Sequence, residues 1–401
     1  MIGGVTKQCS FILRTLSVLL LAMLAGCERS SPDASSNDAG GDRDWGTAHL
    51  VVELTPITPL SPRLRTHVAV DSHGNVYWIQ ENTPAPQGGD LVFVMGGSGV
   101  PQTIPALAAP RLSAMLNPDE PRRGTGAIRS IAIGPNDDLY VLFTGGNDRV
   151  AICALARYSP TTTKVSIVAD TVRLMTASNM GASIDLARGS LVANGSEIWL
   201  WLRHSDAASI LQVLPTDGDK AVELRHLSLK PPPRAVAGQL TSELEDLAAG
   251  PGQTLYYVDR RRARLWKIES SGEFTSVQSL DGFSRELTAP AVDDTGRMCF
   301  VAGHGEPLTA TDSTAFSSMT AEGKASLAWL QLPYPALVQI QVDSAGKLSI
   351  STIKRDDFIA PATLPLQDMQ PRNLTYDRTT GTLITFDAVS GELLRLKITK
   401  K

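Results

Sequence analysis

The chain has 401 residues and a formal net charge of −4, with 37 lysines and arginines against 41 aspartates and glutamates. A weakly acidic chain lacks the excess of cations that a phosphate backbone requires, which argues against a nucleic acid partner. The 33 glycines and 25 prolines favour a protein built mainly of turns and strands.

The first 26 residues have the features of an export signal. Lys7 and Arg14 are their only charges, and an apolar stretch runs from Leu16 to Ala25. At about ten residues, this stretch is roughly half as long as a membrane-spanning helix needs to be. We therefore expect residues 1–26 to be a signal peptide that is removed rather than an anchor that stays in the membrane.

The segment Leu24-Ala25-Gly26-Cys27 resembles the lipobox of bacterial lipoproteins. This resemblance implies cleavage after Gly26, a diacylglycerol on the Cys27 sulfur and further acylation of the new amine. Each buried methylene contributes about 0.8 kcal/mol, so two or three chains would hold the protein on the membrane. Residue 28 is Glu rather than the Asp of an inner-membrane retention signal. The lipobox thus predicts a lipid-anchored envelope protein, in the outer membrane on its periplasmic or surface side if the host has one.

Residues 27–47 are expected to form a disordered tether. Behind Cys27 they are rich in serine, aspartate, glycine and asparagine and contain almost nothing that could be buried. The folded domain is expected to occupy residues 48–401.

A strand–turn–strand pattern recurs six times after the tether. Each copy has a short apolar strand, a turn with Asp, Gly or Asn, and a second strand that opens with aliphatic and aromatic residues, which is a hairpin signal. The last residues before the six turns are Asp71, Gly134, Ala193, Gly250, Asp293 and Asp377. Repeats of roughly 40–60 residues with several strands each are typical of propellers. We therefore predict an all-β fold, a six-bladed β-propeller of four-stranded blades.

The last of these units is one strand short, because the chain ends soon after its third strand. A spare apolar segment, residues 49–54, lies at the other end of the domain. We predict that this N-terminal strand completes the last blade, which closes the ring and removes its open edges. A seventh blade between Asp293 and Asp377 is the alternative, although only one first hairpin is recognisable there.

Two segments, residues 256–268 and 384–398, resemble NHL-type propeller repeats. In both, an aspartate closes the second strand and a leucine follows six residues later in the third: Asp259 with Leu265, and Asp387 with Leu393. The resemblance implies a binding module or, in related six-bladed folds, an enzyme of the gluconolactonase-like or strictosidine-synthase-like kind. It supports the fold more than any activity.

Four cysteines are present, but Cys9 lies in the signal peptide and Cys27 is the expected lipidation site. The blade assignment places the other two, Cys153 and Cys299, in the third strand of blade 2 and the second strand of blade 5. Those blades lie across the ring, beyond the roughly 7 Å over which two Cα atoms can be bridged. We expect two buried free thiols.

Motifs for catalysis or cofactor binding are absent from the sequence. It contains no Walker A motif, dinucleotide fingerprint or H-E-x-x-H, and residues 96–100, GGSGV, miss the nucleophile elbow at the last position. We therefore predict no cofactor and no metal, and binding or scaffolding rather than catalysis.

Loop lengths distinguish the two faces of the predicted ring. Turns after the first and third strands are short and define a short-turn face. Turns after the second strands and the crossovers between blades lie on the other side and define a long-loop face, with long segments at residues 108–127, 171–189, 230–244, 303–335 and 355–371. Long loops on one side of a rigid scaffold commonly carry function.

Polar residues stand where the first strands begin on the long-loop face. The candidates are His67, Arg129, Arg188, Glu245, Asp246, Arg372 and Asn373. We predict that the arginines ring one channel mouth opposite the acidic pair, beside the 303–335 insert, and bind an anionic group, a saccharide or a protein partner. Ordinary inter-blade ion pairs are the alternative interpretation.

A metal-dependent hydrolase or lactonase is the competing functional hypothesis. In that case His67, Glu245, Asp246 and Asn373 would be the metal ligands. Three nearby arginines would repel a divalent cation, which favours the binding module.

Overall fold

The computed structural model describes fifteen stretches of the chain. These are residues 50–59, 67–83, 89–116, 126–147, 150–178, 184–195, 197–204, 207–216, 222–230, 247–259, 264–279, 288–293, 295–302, 335–342 and 348–400. All of their strands belong to the unit formed by residues His49–Lys401.

Most of the described residues are strands, arranged in six sheets. Blade 1 consists of β2 (Val68–Val70), β3 (Val76–Thr83), β4 (Gly89–Met95) and β5 (Gln102–Thr103), and blade 2 of β6 (Ala127–Ile133), β7 (Leu139–Asn147), β8 (Val150–Ser159) and β9 (Lys164–Ala169). Blade 3 consists of β10 (Ile184–Asn194), β11 (Glu197–His204), β12 (Ala207–Pro215) and β13 (Val222–Leu227), and blade 4 of β14 (Leu247–Gly250), β15 (Thr254–Asp259), β16 (Arg264–Ile268) and β17 (Phe274–Ser279).

The last two blades complete the set. Blade 5 consists of β18 (Ala291–Val292), β19 (Met298–Ala302), β20 (Ala336–Val342) and β21 (Leu348–Ile353), and blade 6 of β23 (Pro371–Asp377), β24 (Thr382–Asp387), β25 (Glu392–Lys400), β1 (Leu50–Pro59) and β22 (Phe358–Ile359). The first strand of each blade contacts the first strand of the next, and β23 contacts β2, so the six blades close a ring. The predicted six-bladed propeller of four-stranded blades is confirmed, with the two-residue β22 as an additional outer strand of blade 6.

The N-terminal strand completes blade 6, as predicted. β1 pairs antiparallel with β25 from Leu50 opposite Lys400 to Pro59 opposite Glu392, and the short β22 adds on its outer side in parallel. Because β1 and β25 come from opposite ends of the domain, their pairing joins those ends directly. The ring is therefore closed by hydrogen bonds within one blade as well as by packing between blades.

Apolar side chains fill the spaces between neighbouring blades. The described residues form six buried clusters, and each one draws its residues from one pair of adjacent blades. The strand alternation explains this arrangement: in β14, Leu247 and Ala249 pack towards blade 3, whereas Ala248 packs towards blade 5. Each blade thus buries both faces.

Buried aspartates organise several turns at the short-turn face. The Asp71 carboxylate accepts hydrogen bonds from the backbone N–H groups of His73 and Asn75, at 2.9 and 2.8 Å, and from the Tyr77 hydroxyl at 3.1 Å. Asp293 and Asp377 accept from the backbone N–H groups two residues ahead in the same way. These residues were predicted as the last positions before the turns, and their side chains explain why the turns are tight.

In the described part of the long-loop face, two crossovers contain short helices. They are α1 (Ala109–Leu116), between blades 1 and 2, and α2 (Thr171–Ala177), between blades 2 and 3. The sequence had indicated only long loops in these segments. Four 3-10 turns, Pro105–Leu107, Pro135–Asp137, Arg355–Asp357 and Leu366–Asp368, complete the helical elements of the described residues. Neither α-helix is long and apolar enough to cross a membrane.

The two remaining cysteines agree with their prediction. Cys153 lies in β8 and Cys299 in β19, and both are buried free thiols. Burial raises the pKa of each thiol to about 12, because the charged thiolate is poorly solvated in the core.

Candidate functional site

The first strands of the six blades surround a central channel with a volume of about 700 Å³. Aliphatic residues from all six blades line its walls, and polar residues occur at both ends. The polar lining residues in the described part of the chain are His67, Asp71, Ser72, Asn136, Asp137, Ser190, Asn373, Thr375, Tyr376, Arg378 and Thr379.

Backbone groups add to the polarity of the channel wall. Each first strand, such as β14 or β18, pairs with its own second strand on one side only, so its other edge faces the channel. Backbone N–H and C=O groups require partners when they leave water. A ligand in the channel would therefore meet six rows of donors and acceptors.

The turns of three successive blades are bonded together at the short-turn end. The Asp137 carboxylate of blade 2 accepts hydrogen bonds from the Ser72 backbone N–H at 2.8 Å and the Ser72 hydroxyl at 2.6 Å. The Thr379 hydroxyl of blade 6 donates to the Ser72 carbonyl at 3.2 Å. Blades 6, 1 and 2 are thus tied to one another at this end of the channel.

The Asp137 pKa reflects opposing influences. Partial burial raises it, but the two hydrogen bonds from Ser72 and the nearby His73 ring outweigh this effect and hold the pKa below its ordinary value. Asp137 is also unusual in its backbone, because it and Asn136 both have positive φ, at 59° and 60°. The strained turn aims the carboxylate at Ser72.

Ser72, His73 and Asp137 are not arranged as a catalytic triad. In a triad the histidine uses one ring nitrogen for the carboxylate and the other for the serine. Here the same nitrogen, His73 Nδ1, lies 3.0 Å from Asp137 and 3.4 Å from the Ser72 hydroxyl, and that hydroxyl itself donates to Asp137. The cluster therefore joins turns and lacks a proton relay.

Arg378 crosses the channel at the short-turn end. Its backbone belongs to the first turn of blade 6, yet its terminal NH1 lies 3.1 Å from the point where a Cβ on Gly195 would stand. Gly195 is in the first turn of blade 3, and blades 3 and 6 are opposite in a ring of six. A guanidinium group thus spans this mouth, and the glycine leaves room for it.

The other end of the channel holds His67 and Asn373. His67 Nδ1 lies 3.3 Å from the hydroxyl of Ser130, a fully buried residue of β6. Asn373 is the extra residue of a β-bulge in β23 and has a φ of 50°. Bulges frequently re-aim side chains beside functional sites.

The strand pairing is also interrupted at the start of two other first strands. It shifts by one extra residue between Ile128 and Ser130 in blade 2, and by several residues between Ile184 and Gly189 in blade 3. Among the described strands, three first strands therefore pair irregularly at the long-loop end of the channel.

The structure brings together only some of the residues predicted for the site. His67 and Asn373 both line the channel. Arg129 does not line it, because its Nε donates to the Thr144 hydroxyl of β7 at 2.8 Å. The backbones of Arg188 and Arg372 lie in β10 and β23 at the same end, while their side chains are outside the described part.

Further predicted features fall outside the described residues. They are Cys27, Glu245, Asp246 and most of the 303–335 insert. Within the stretches given above, no group of three or more histidine, cysteine, aspartate or glutamate side chains is placed to hold a metal ion.

Sequence reasoning missed Arg378 and Ser130. The turn pattern identified the position before Arg378, but no local signal indicates that its side chain reaches the opposite blade.

Comparison with known proteins shows no matching family model and no matching curated sequence. Among solved structures, a streptogramin B lyase has 10% identity over 87% of this chain and 98% of its own, with a TM-score of 0.43. A gluconolactonase from Xanthomonas campestris has 13% identity over 86% and 89%, with a TM-score of 0.42. An auxiliary nutrient binding protein from Bacteroides ovatus has 11% identity over 83% and 59%, with a TM-score of 0.35.

These similarities concern the fold alone. The chain is a six-bladed β-propeller protein, as its own sheet order and ring of inner strands show. Its function has to be argued from the channel.

Proposed function

We propose that this chain is an envelope lipoprotein whose propeller binds a polar or anionic ligand, or part of a protein partner, in the central channel. One observation carries the proposal: the channel of about 700 Å³ has His67 and Asn373 at one end and Arg378 across the other. Small-molecule sites are commonly concave spaces of about 300–1,000 Å³ with a few convergent polar groups.

The channel geometry favours entry from the long-loop end. At the short-turn end the turns of blades 6, 1 and 2 are hydrogen-bonded together, and the Arg378 guanidinium reaches Gly195 of blade 3. A ligand that entered at that end would have to pass this arginine. We infer that a ligand enters beside His67 and Asn373.

The anchor is inferred from the lipobox at residues 24–27 and from the polar tether that follows it. We also infer that the blades are degenerate NHL-type repeats. Asp387, which closes β24, supports this: its carboxylate accepts from the backbone N–H groups of Gln370 and Ser390 at 2.7 and 2.9 Å. This aspartate fastens the turn that leads into the third strand.

The anchor is tested by replacing Cys27 with serine. Cys27→Ser should abolish incorporation of radiolabelled palmitate and leave unprocessed precursor, because the acceptor thiol is missing. Cys9→Ser is the matched control, since that thiol lies within the signal peptide, and it should be labelled and processed normally. Normal labelling and membrane retention of Cys27→Ser would overturn the lipoprotein proposal.

The binding role is tested by a thermal-shift panel on the mature lipoprotein in detergent. The panel contains neutral sugars and polyols, organic anions, calcium and zinc. Protection by an organic compound, lost in His67→Gln, supports the channel as the site. Co-purifying metal together with protection by calcium or zinc would instead support the hydrolase or lactonase alternative.

A further inference from the structure

The turn hydrogen bonds determine which backbone groups of the first strands face the channel. In blade 2 the Gly134 N–H donates to the Asp138 carbonyl at 2.9 Å, and β6 and β7 continue in the same register below this bond. Hydrogen-bonded and non-hydrogen-bonded residues alternate in an antiparallel pair. Ala132 therefore binds β7, whereas Ile131 and Ile133 direct their N–H and C=O groups to the other edge of β6, which lines the channel.

Blades 1 and 5 follow the same pattern. The Asp71 N–H donates to the Asn75 carbonyl at 3.1 Å. In blade 5 the Asp293 N–H donates to the Arg297 carbonyl at 3.0 Å. The residue before each aspartate therefore faces the channel with its backbone. In the described part of the chain, channel-facing backbone groups without a hydrogen-bond partner belong to Val68, Val70, Ile131, Ile133 and Val292.

Ser130 shows what such an edge binds when a partner is within reach. Its hydroxyl accepts from the Leu191 backbone N–H at 2.9 Å and donates to the Leu191 carbonyl at 3.3 Å. Leu191 belongs to β10, the first strand of blade 3, and lines the channel. One acceptor and one donor, presented side by side, thus satisfy one channel-facing residue.

The dimensions of the channel suit one extended chain. First strands such as β6 have seven residues and span about 23 Å. Over that length, the volume of about 700 Å³ corresponds to a width of roughly 6–9 Å. An α-helix with its side chains is about 10–12 Å across. The channel is therefore too narrow for a helix and wide enough for a strand.

An extended peptide fits the free edges in both chemistry and spacing. Every second residue of a strand presents one N–H and one C=O to the same side, at intervals of about 6.6–6.8 Å. The channel-facing residues Ile131 and Ile133 are also two positions apart. When a peptide adds to a strand edge, its main-chain hydrogen bonds supply the affinity. A sugar chain presents clusters of hydroxyls around each ring instead of this alternating series.

We propose that the channel binds an extended peptide segment of a protein partner, which pairs as an added strand with the free edge of β6. The other described first strands suit this role less: β2 has only three residues, and Leu191 of β10 is already bonded to Ser130. In blade 5 the position equivalent to Ile131 is Pro290, which has no N–H. The peptide class rests on the proposed function, because that function places the ligand in the channel.

The free edge is tested by hydrogen exchange of the mature lipoprotein in detergent, resolved to single residues by mass spectrometry. Without ligand, the Ile131 and Ile133 amides should exchange faster than the Ala132 amide, because only Ala132 donates to β7. The probe is a millimolar pool of hexapeptides of glycine, alanine, serine, threonine and valine with acetylated and amidated ends. It should slow exchange at Ile131 and Ile133 at least tenfold. The same pool with N-methylated amides should have no effect, because it cannot pair as a strand.

Ile131→Pro tests β6 as the paired strand. It removes one channel-facing N–H and keeps the bonds to β7, as Pro290 does in blade 5. The Kd of the tightest peptide in the pool should rise about fivefold, roughly the effect of one hydrogen bond. Ile131→Ala is the matched control, because it loses the same buried side chain but keeps the N–H, and its Kd should not change. Equal Kd values in the two variants would overturn the pairing with β6.

The remaining outcomes separate this proposal from the proposed function. Slow exchange at Ile131 and Ile133 before any peptide is added would overturn it, since the edge would already be occupied. Equal protection by the N-methylated pool would overturn it even if Ile131→Pro fails to fold. Protection by maltohexaose and not by the peptides would overturn the peptide class and leave the channel as a binding site. If no peptide and no compound of the thermal-shift panel protects the protein, the proposed function fails as well.

Discussion

The strand that closes the ring offers a quantitative test of the fold. Val52 of β1 is completely buried, opposite Ile398 of β25 and Phe358 of β22. Val52→Ala removes two buried methyl groups, which forfeits about 1.6 kcal/mol of transfer free energy at about 0.8 kcal/mol each. The cavity left behind raises the expected loss in the free energy of unfolding to about 2–3 kcal/mol.

Equilibrium urea unfolding of the purified mature protein, followed by tryptophan fluorescence, measures this loss. Thr55→Ala is the matched control, because Thr55 lies in the same strand and is exposed; its effect should stay within about 0.5 kcal/mol. Leu54→Ala, also buried in β1, should cost about 2–5 kcal/mol. If Val52→Ala were no more destabilising than Thr55→Ala, β1 would not be packed into blade 6 and the ring would not be closed as described.

Three further predictions concern the thiols and the short-turn end. Burial raises the pKa values of Cys153 and Cys299 to about 12, so neither thiol should react with Ellman's reagent until the protein unfolds. Rapid reaction of the native protein would contradict their burial. Because the folded-state pKa of Asp137 is lowered, its contribution to stability is present above its unfolded pKa and is lost as pH falls through the folded value. Asp137→Asn should therefore destabilise the protein more at pH 7 than at pH 3, and an equal effect at both would refute the Ser72 contact. Gly195→Ala and Gly252→Ala, at φ of 61° and 69°, should each cost about 1 kcal/mol. Only Gly195→Ala should also displace the crossing guanidinium and widen the short-turn mouth. A cysteine introduced into the channel wall should then react faster with a small thiol reagent.

The fold could be predicted from the sequence because its determinants are local and repeated. The turns at Asp71 and Asp377 are determined by residues that are close in sequence, since each carboxylate accepts hydrogen bonds from backbone groups two to four residues ahead. The closing strand was predictable from a count of strands in the last unit. The two helices at Ala109–Leu116 and Thr171–Ala177 were missed because they span only about two turns, too short for a helical period to stand out.

The site was less predictable because it depends on side chains that reach between blades. Arg129 lies near the start of a first strand, but it is the extra residue of a bulge and its Nε binds Thr144 rather than facing the channel. Arg378 looks like an ordinary turn residue, yet it reaches the opposite side of the ring. Ser130 became visible only once three blades were placed side by side, because its partners are 61 and 63 residues away in the chain.

The claim that the channel is the binding site is tested most directly by filling it. Ala289 lines the long-loop end and is partly exposed, so Ala289→Trp should obstruct the channel there. Ala362→Trp, at an exposed position in the crossover between blades 5 and 6, is the matched control. The measurement is the shift in melting temperature that a protecting compound produces in each variant. We expect full protection of the wild type and Ala362→Trp and none of Ala289→Trp; equal protection of all three would place the ligand elsewhere and contradict the account.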